Sequence, residues 1–252
     1  MGQKYAANVS PKATPFAAGA AISPDSPPGD SQLYAEMVGT LLYAAVCTRP
    51  DIAYATSIES RFIQAPTKAQ LTFARNTIAY TANTANLGLT YKPAPDINIE
   101  VYCDASFAPD EHQRKSRSGW LVLINGTPVA WKSGLQPIVA HSTAEAEYIS
   151  LSDAVREAMY IRRLLSELSI DSGPITAHED NITTKIMAEE ISTKRSKHVE
   201  IRYHYVRDQV SAGLVNIKYC PTQDQLADAL TKPLAKDSFV RLRDRFMSKG
   251  EC

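Results

Sequence analysis

The chain has 252 residues, of which 44% are hydrophobic and 21% charged, enough apolar material for one or two globular domains. Basic and acidic residues both number 27, so the net charge is zero and gives no overall signal for a charged partner. The four cysteines lack zinc-binding spacing, which excludes a zinc module and suits an intracellular protein, and the sequence shows no signal peptide or membrane-spanning run.

The first third of the sequence is predicted to be an arm followed by helices. Residues 1–30 are rich in alanine, proline, glycine and serine, which predicts a flexible N-terminal arm. Residues 31–93 contain three stretches with apolar residues three and four apart, the period of an amphipathic helix. The first begins near Ser31, the second covers about 51–64 and the third about 67–85. Together they predict a small helical subdomain.

From residue 97 onward the pattern alternates as in strands. Asn125 and Gly126 lie between two apolar runs and predict a β-hairpin, because both residues accept positive φ. Residues 94–235 are predicted to form a mixed α/β sheet flanked by helices, and 236–252 a C-terminal helix and tail. The later helices are predicted at about 143–168, 181–191, 197–212, 223–230 and 236–248, and the later strands at about 174–179 and 214–220.

Four acidic residues occur where predicted strands end or helices begin. Asp104 and Asp180 each follow a strand, Glu147 lies in the first turns of the long helix, and Asp228 lies in a short helix. Because functional side chains gather at strand ends in α/β sheets, we expect these carboxylates to converge. Any one of them alone also fits a solvated or capping residue.

Glu147 differs from its neighbour Glu145. Ser142 and Glu145 fit a capping box, whereas Glu147 shares the apolar stripe of its helix, where a carboxylate is costly unless paired or bound to metal. Packed carboxylates need a cation to stay ionised, and oxygen-only ligands suit Mg²⁺, with Mn²⁺ as a substitute. Two such ions about 3.5–4 Å apart activate water and stabilise a leaving phosphodiester oxygen. The acids therefore predict metal-assisted phosphodiester hydrolysis.

Five motifs occur in a recognisable order. They are Tyr-Cys-Asp-Ala at 102–105, Arg-Lys-Ser-Arg-Ser-Gly-Trp at 114–120, Ser-Thr-Ala-Glu-Ala-Glu-Tyr-Ile at 142–149, Lys-His-Val-Glu-Ile-Arg-Tyr-His at 197–204, and Pro-Thr-x-Asp-Gln-Leu-Ala-Asp at 221–228 with Thr-Lys-Pro at 231–233. With these motifs the chain resembles, over about 31–235, the ribonuclease H domain of copia-type LTR retrotransposon Pol polyproteins. The resemblance implies a ribonuclease H-like fold with a five-stranded mixed sheet, in which Asp104, Glu147, Asp180 and Asp228 bind two Mg²⁺ ions. It also implies cleavage of the RNA strand of RNA–DNA hybrids.

The helical segment 31–93 resembles the thumb or connection that precedes ribonuclease H in these polyproteins. The polymerase Tyr-x-Asp-Asp motif is absent from the sequence, so no DNA polymerisation is expected of this chain. The resemblance implies that the polymerase part of the same polyprotein is a partner. It further implies a cytoplasmic location in virus-like particles, with the nucleus as the alternative.

Two features depart from the family pattern. The third acid usually stands in a Cys-Asp-Asn run, whereas here the run is Glu179-Asp180-Asn181. Glu179 could compete for the ion or face outward, and strand alternation favours the outward direction. Cellular ribonucleases H carry a histidine on a loop before the last aspartate, but none lies between Tyr205 and Asp228, so the proton shuttle is unassigned.

Several residues are candidates for contact with a nucleic acid. Basic side chains near a catalytic site can bind the phosphate backbone, which positions a substrate without reading its sequence, while a solvated surface is the alternative. The candidates are Arg114, Lys115, Ser116, Arg117, Asn181, Lys197, His198 and Arg202.

Two other functions compete with a ribonuclease. A domesticated, catalytically silent module would bind nucleic acid or act as a scaffold; the full set of acids argues against it, and Glu179 and the missing histidine leave it open. An integrase-type transferase would carry its acids in the order Asp, Asp, Glu, whereas this chain has Asp, Glu, Asp, Asp. The order of the acids disfavours the transferase.

Overall fold

The computed structural model describes residues 5, 9–16, 26–108, 114–189 and 200–250, without the side chains of 200–203. The chain divides into two compact units. One unit, here called the helical unit, combines Met1–Thr90 with Lys232–Cys252, and the other, the sheet unit, is Tyr91–Thr231. Among the described residues, no helix is both long and apolar enough to cross a membrane.

The regular elements are helical up to residue 83 and include both strands and helices from residue 87 onward. In chain order they are α1 Ser31–Cys47, α2 Ala53–Glu59, α3 Lys68–Asn83, β1 Leu87–Gly88, β2 Ile99–Ser106, β3 Arg117–Ile124, β4 Thr127–Leu135, α4 Thr143–Glu167, β5 Ile175–Glu179, α5 Ile182–Glu189, α6 Glu200–Ser211, β6 Val215–Tyr219, α7 Asp228–Thr231, α8 Lys236–Arg243 and β7 Ser248–Lys249. Short 3₁₀ turns cover Pro50–Ile52, Ser60–Phe62 and Thr222–Asp224.

The helical unit packs α1, α2 and α3 against one another. The apolar stripe of α1 is buried, and the N-cap of this helix is Asp30, whose side chain accepts from the backbone N–H of Leu33 at 3.0 Å. Thr67 caps α3 through a capping box with Gln70. Part of the segment predicted as a flexible arm lies against these helices, since the ring of Phe16 stacks on Phe73 at 5.1 Å.

The C-terminal segment belongs to the helical unit. Phe239 of α8 meets the edge of Tyr80 at 5.9 Å, and the Arg243 guanidinium donates to the Tyr80 hydroxyl at 3.3 Å. That hydroxyl in turn donates to Asp51 at 2.6 Å, and Asp51 also forms a buried ion pair with Arg49 at 2.8 Å. After α8 the chain pairs β7 with β1 in antiparallel register. The predicted helix 236–248 therefore ends early, at Arg243.

The sheet unit is built on a five-stranded mixed sheet of order β4-β3-β2-β5-β6. Strands β2, β3 and β4 are antiparallel, while β5 runs parallel to β2 and β6. The β3–β4 turn is the predicted hairpin, with φ of 50° at Asn125 and 82° at Gly126. One face of the sheet buries a core with α4, α5 and α6 that includes Val101, Leu151 and Ile175.

Candidate metal centre

The structure brings the four predicted acids together in the sheet unit. Asp104 lies near the end of the central strand β2, opposite Gly119 of β3, and Asp180 follows the end of the parallel strand β5. Glu147 lies in the second turn of α4, and Asp228 is the first residue of α7. Two sets of carboxylates each have one oxygen per residue within 4.8 Å of the others, namely Asp104, Asp180 and Asp228, and Glu147, Glu179 and Asp180.

Asp104 is held from two sides. It is only 3% exposed, and the Thr231 hydroxyl of α7 donates to its Oδ2 atom. The Ser150 hydroxyl of α4 donates to the backbone carbonyl of Asp104 at 2.9 Å. These contacts fix both the strand and the carboxylate, so that Asp104 faces the other acids in one orientation.

A glycine lets α7 approach the central strands. A Cβ atom placed on Gly119 would lie 2.6 Å from the Thr231 Cγ2 atom and 2.8 Å from the Leu230 Cβ atom. Any larger residue would therefore displace α7, which carries Asp228 and Thr231.

Glu147 reaches the centre from a helix that is capped by other residues. Ser142 caps α4 and the Glu145 carboxylate accepts from the backbone N–H of His141 at 2.7 Å, so Glu147 has no part in the cap. Glu147 is 5% exposed, and its Oε2 atom is buried with no hydrogen-bond partner among the described residues. Burial raises the pKa of Glu147, and the negative charge of nearby Asp104 raises it further. A buried carboxylate with an open oxygen is suited to bind a cation.

Glu179 corrects one prediction. Strand alternation favoured an outward direction, but Glu179 is fully buried, on the face of β5 that also buries Ile175 and Ala177. The predicted direction was wrong because it assumed that Asp180 lies on the inner face of the strand, whereas Asp180 follows the last strand residue. Burial raises the pKa of Glu179, and the nearby charge of Asp180 acts in the same direction.

The remaining acids sit at the ends of short elements. Asp180 is half-buried, and the Thr222 hydroxyl donates to its Oδ2 atom at 2.9 Å. Asp228 is 5% exposed and begins α7. The donors of the whole centre are carboxylate oxygens, and this donor set, with the open Oε2 atom of Glu147, fits hard divalent cations such as Mg²⁺ or Mn²⁺.

The candidates for nucleic-acid contact are only partly exposed. Arg114 is exposed and Lys115 half-buried, as a surface role requires. Ser116 and Arg117 are 0% and 1% exposed, and the Arg117 guanidinium donates to the Ser133 hydroxyl at 3.3 Å. The predicted contacts of Ser116 and Arg117 with a nucleic acid are contradicted by this burial, because both side chains belong to the interior of the sheet unit.

Of the other candidates for nucleic-acid contact, Asn181 caps a helix, and the rest lie outside the described side chains. The side-chain Oδ1 atom of Asn181 accepts from the backbone N–H of Thr184 at 3.1 Å, so this side chain caps the start of α5. Lys197 and His198 lie outside the described residues, as does the side chain of Arg202.

The hydroxyls that hold the acids were not predicted from the sequence. Thr222 and Thr231 both lie in the motifs that carry the family resemblance, so the sequence did mark these two positions. Their roles were hidden because a threonine in a motif can serve packing, capping or hydrogen bonding, and only the fold places each one against a particular carboxylate.

The chain is similar to known polyproteins over most of its length. It is 37% identical over 212 residues to the retrovirus-related Pol polyprotein from transposon RE1 of Arabidopsis thaliana, covering 83% of this chain and 14% of that protein. With the Pol polyprotein from transposon TNT 1-94 of Nicotiana tabacum, it shares 33% identity over 207 residues, 82% of this chain and 16% of that protein. The chain belongs to the copia-type retrotransposon Pol family. It spans about a seventh of the length of these relatives.

The observed five-stranded mixed sheet agrees with the fold expected for a member of the copia-type Pol family. The predicted fold class is confirmed as ribonuclease H-like, with a mixed five-stranded sheet flanked by helices and preceded by a helical subdomain. Among solved structures, LC11-RNase H1 in complex with RNA/DNA hybrid is similar at 13% identity and a TM-score of 0.41, over 57% of this chain and 99% of that one. No protein-family profile matches the chain.

Proposed function

We propose that this chain is a ribonuclease H, a metal-dependent endonuclease that hydrolyses the RNA strand of RNA–DNA hybrids. One observation carries the proposal, the convergence of carboxylate oxygens from β2, α4, β5 and α7 within 4.8 Å in two overlapping sets. Buried like charges at this spacing are stable only when protonated or when cations lie between them.

The proposed cofactors are two divalent ions, Mg²⁺ or in its place Mn²⁺, held by Asp104, Glu147, Asp180 and Asp228. When bound, such ions activate water and stabilise the leaving oxygen of the phosphodiester. The chain itself keeps the carboxylates in place, since Thr231 orients Asp104 and Thr222 orients Asp180. These four carboxylates are the proposed catalytic groups.

The proposed substrate and partners come from the family. We assign an RNA–DNA hybrid as substrate, recognised through groove shape and the 2′-hydroxyls of the RNA. Arg114, exposed just before β3, is a proposed phosphate contact, with Lys115 beside it. The polymerase part of the same polyprotein is the proposed protein partner, and the cytoplasm the proposed location.

The Asp104→Asn variant tests the proposal most directly. The amide is neutral and offers a divalent ion one uncharged oxygen in place of a carboxylate, so we expect cleavage of an RNA–DNA hybrid in Mg²⁺ to fall at least about a hundredfold. Matched RNA–RNA and DNA–DNA duplexes measure the specificity, and EDTA measures the metal requirement. The control is Asp208→Asn, the same change at an exposed position of α6. Equal cleavage by Asp104→Asn and wild type would contradict the assigned site.

A catalytically silent nucleic-acid-binding module is the second candidate, favoured by one observation. A buried glutamate, Glu179, stands in the centre at a position where the family pattern has cysteine. Binding of the hybrid with a steep salt dependence, without cleavage at any Mg²⁺ or Mn²⁺ concentration, would favour this module over the nuclease.

A further inference from the structure

Glu179 is a fifth acid that the four-carboxylate site does not use. It is the last residue of β5 and is 0% exposed, although glutamate is rarely buried so completely without a specific partner. Its backbone carbonyl accepts from the backbone N–H of Cys220 at 2.9 Å, which fixes the strand end. The position of its carboxylate is therefore set by the fold.

The Glu179 carboxylate is oriented but not saturated. Its Oε1 atom accepts from the backbone N–H of Asn181 at 3.0 Å, and its Oε2 atom accepts from the Cys103 thiol at 3.5 Å. A carboxylate offers about four lone-pair sites, so one hydrogen bond to each oxygen leaves each able to bind a metal ion. These two donors act as an outer shell that aims the group.

Glu147 belongs to the same set of carboxylates as Glu179 and has one oxygen without a hydrogen-bond partner among the described residues. Glu147 is 5% exposed, its Oε2 atom has no hydrogen-bond partner among the described residues, and one of its oxygens lies within 4.8 Å of oxygens of Glu179 and Asp180. A buried acceptor left open is costly, and a cation placed among the three carboxylates would satisfy it.

We propose that Glu179 is a metal ligand, which with Glu147 and Asp180 forms one of two divalent-cation pockets. The other pocket is formed by Asp104, Asp180 and Asp228, so that Asp180 is shared between them. The inference rests on the proposed metal-dependent function and deepens it. A third carboxylate adds negative charge and an oxygen donor, so this pocket binds its ion more tightly than one with cysteine at this position.

The test is a calorimetric titration of the whole chain with Mn²⁺ and, separately, with Mg²⁺. Glu179→Gln keeps the shape but removes the charge, and Glu179→Asp keeps the charge but withdraws the oxygens by one methylene. Because a ligand is sensitive to both changes, we expect each variant to bind one of the two ions at least about tenfold more weakly than wild type. The control is Glu157→Gln, which makes the same charge change on α4 about 15 Å along the helix from Glu147 and should bind like wild type.

Two results would overturn the proposal. One is unchanged affinity and stoichiometry in Glu179→Gln. The other is wild-type affinity in Glu179→Asp together with weaker binding in Glu179→Gln, because charge alone would then explain the effect. Circular dichroism checks that each variant is folded, and Glu179→Cys replaces Glu179→Gln if the latter does not fold.

A separate cleavage assay distinguishes this inference from the proposed function. Weaker metal binding in both Glu179 variants supports the fifth ligand even if the wild-type chain cuts no hybrid. The opposite result is a Glu179→Gln variant that folds like wild type and binds metal with unchanged affinity. That result refutes the fifth ligand, even if the wild-type chain is an active ribonuclease H.

Discussion

At the scale of single residues, the proposed centre depends on hydroxyl groups as much as on acids. Thr231 is 1% exposed and donates to Asp104, and Thr222 donates to Asp180. Each hydroxyl bonds to one lone pair of a carboxylate and leaves the other lone pairs free to bind an ion. The hydrogen bond therefore limits rotation of the carboxylate without blocking metal binding.

Replacing Thr231 by valine tests this positioning role. Valine keeps the volume but loses the hydroxyl, so Asp104 is left without that donor and we expect divalent-ion affinity and cleavage to fall about 10- to 100-fold. Calorimetry and hybrid cleavage measure the two effects. Thr231→Ser keeps the hydroxyl and should recover most of the loss, whereas equal defects in both variants would assign Thr231 a packing role only.

Another buried acid, Glu59, lies in the helical unit. Glu59 is 2% exposed; Thr77 donates to its Oε1 atom at 2.6 Å, and its Oε2 atom has no partner among the described groups. Burial raises the pKa of Glu59 from 4.5 to about 8. The folded protein therefore holds a proton that the unfolded chain releases between these values, and Glu59 reduces stability as the pH rises from 4.5 towards 8.

Glu59→Gln should remove this pH dependence. The variant should match wild type in stability near pH 4.5 and gain on it by up to roughly 1.4 kcal/mol per pH unit as the pH approaches 8. Urea unfolding at several pH values measures the difference, with Glu157→Gln, the same change at a partly exposed position of α4, as the control. A constant difference across this range would show that Glu59 is ionised in the folded state.

At the scale of elements, local signals predicted the sheet unit well. Asn125 and Gly126 specify a turn, and Ser142 specifies the start of α4, because each acts through neighbouring backbone atoms. The predicted helix 51–64 instead became a 3₁₀ turn, α2 and a second 3₁₀ turn, because Arg49 and Asp51 pair in the interior and fix the chain there. Asp51 also accepts a hydrogen bond from the Tyr80 hydroxyl, 29 residues away, and such a long-range contact leaves no periodic trace in the sequence.

The contact between β3 and α7 gives a prediction at this scale. In Gly119→Ala, the new methyl group would overlap Leu230 and Thr231, so α7 must move and carry Asp228 away from Asp104. We expect a loss of about 1–3 kcal/mol in stability and weaker divalent-ion binding. Gly134→Ala on β4 is the control, because its methyl group would meet only the Lys132 Cε atom at 3.9 Å. If both variants unfold and bind Mn²⁺ alike, the close approach of α7 is not needed for the centre.

At the scale of the whole molecule, the acids of the centre are expected to set how stability responds to pH and metal. Burial raises the pKa values of Glu147 and Glu179, so without metal the folded state keeps protons that the unfolded chain loses above about pH 4.5. Stability of the metal-free protein should therefore fall as the pH rises from there. Divalent ions bind the ionised form in the folded state and should reverse the loss.

Thermal unfolding in EDTA and in Mg²⁺ measures this linkage. At a Mg²⁺ concentration about a hundred times the dissociation constant, we expect a stabilisation of about 2.7 kcal/mol. This stabilisation should grow with pH between about 5 and 8, because fewer protons then compete with the ion. The same midpoint with and without Mg²⁺ at pH 8 would contradict a divalent-ion centre.

The predicted division of the chain missed one large feature. The tail 236–252 was assigned to a part of its own, but α8 and β7 pack with Tyr80 and β1 in the helical unit. Periodicity reports which face of a helix is apolar and is silent on which distant element will cover it. The convergence of the acids could be foreseen because sheet topology restricts where strand ends lie, whereas the partner of α8 had no comparable rule.

The helical unit is thus assembled from two stretches that flank the whole sheet unit, and this has a consequence during translation. Ribosomes add about 5–20 residues per second, so residues 232–250 emerge roughly 7–30 s after Tyr91. Throughout that interval the nascent chain shows the face of Tyr80 that Phe239 later covers, together with the unpaired edge of β1. A chaperone that recognises exposed aromatic surface would find its target on this half-made unit for as long as the sheet that carries the acids is being synthesised.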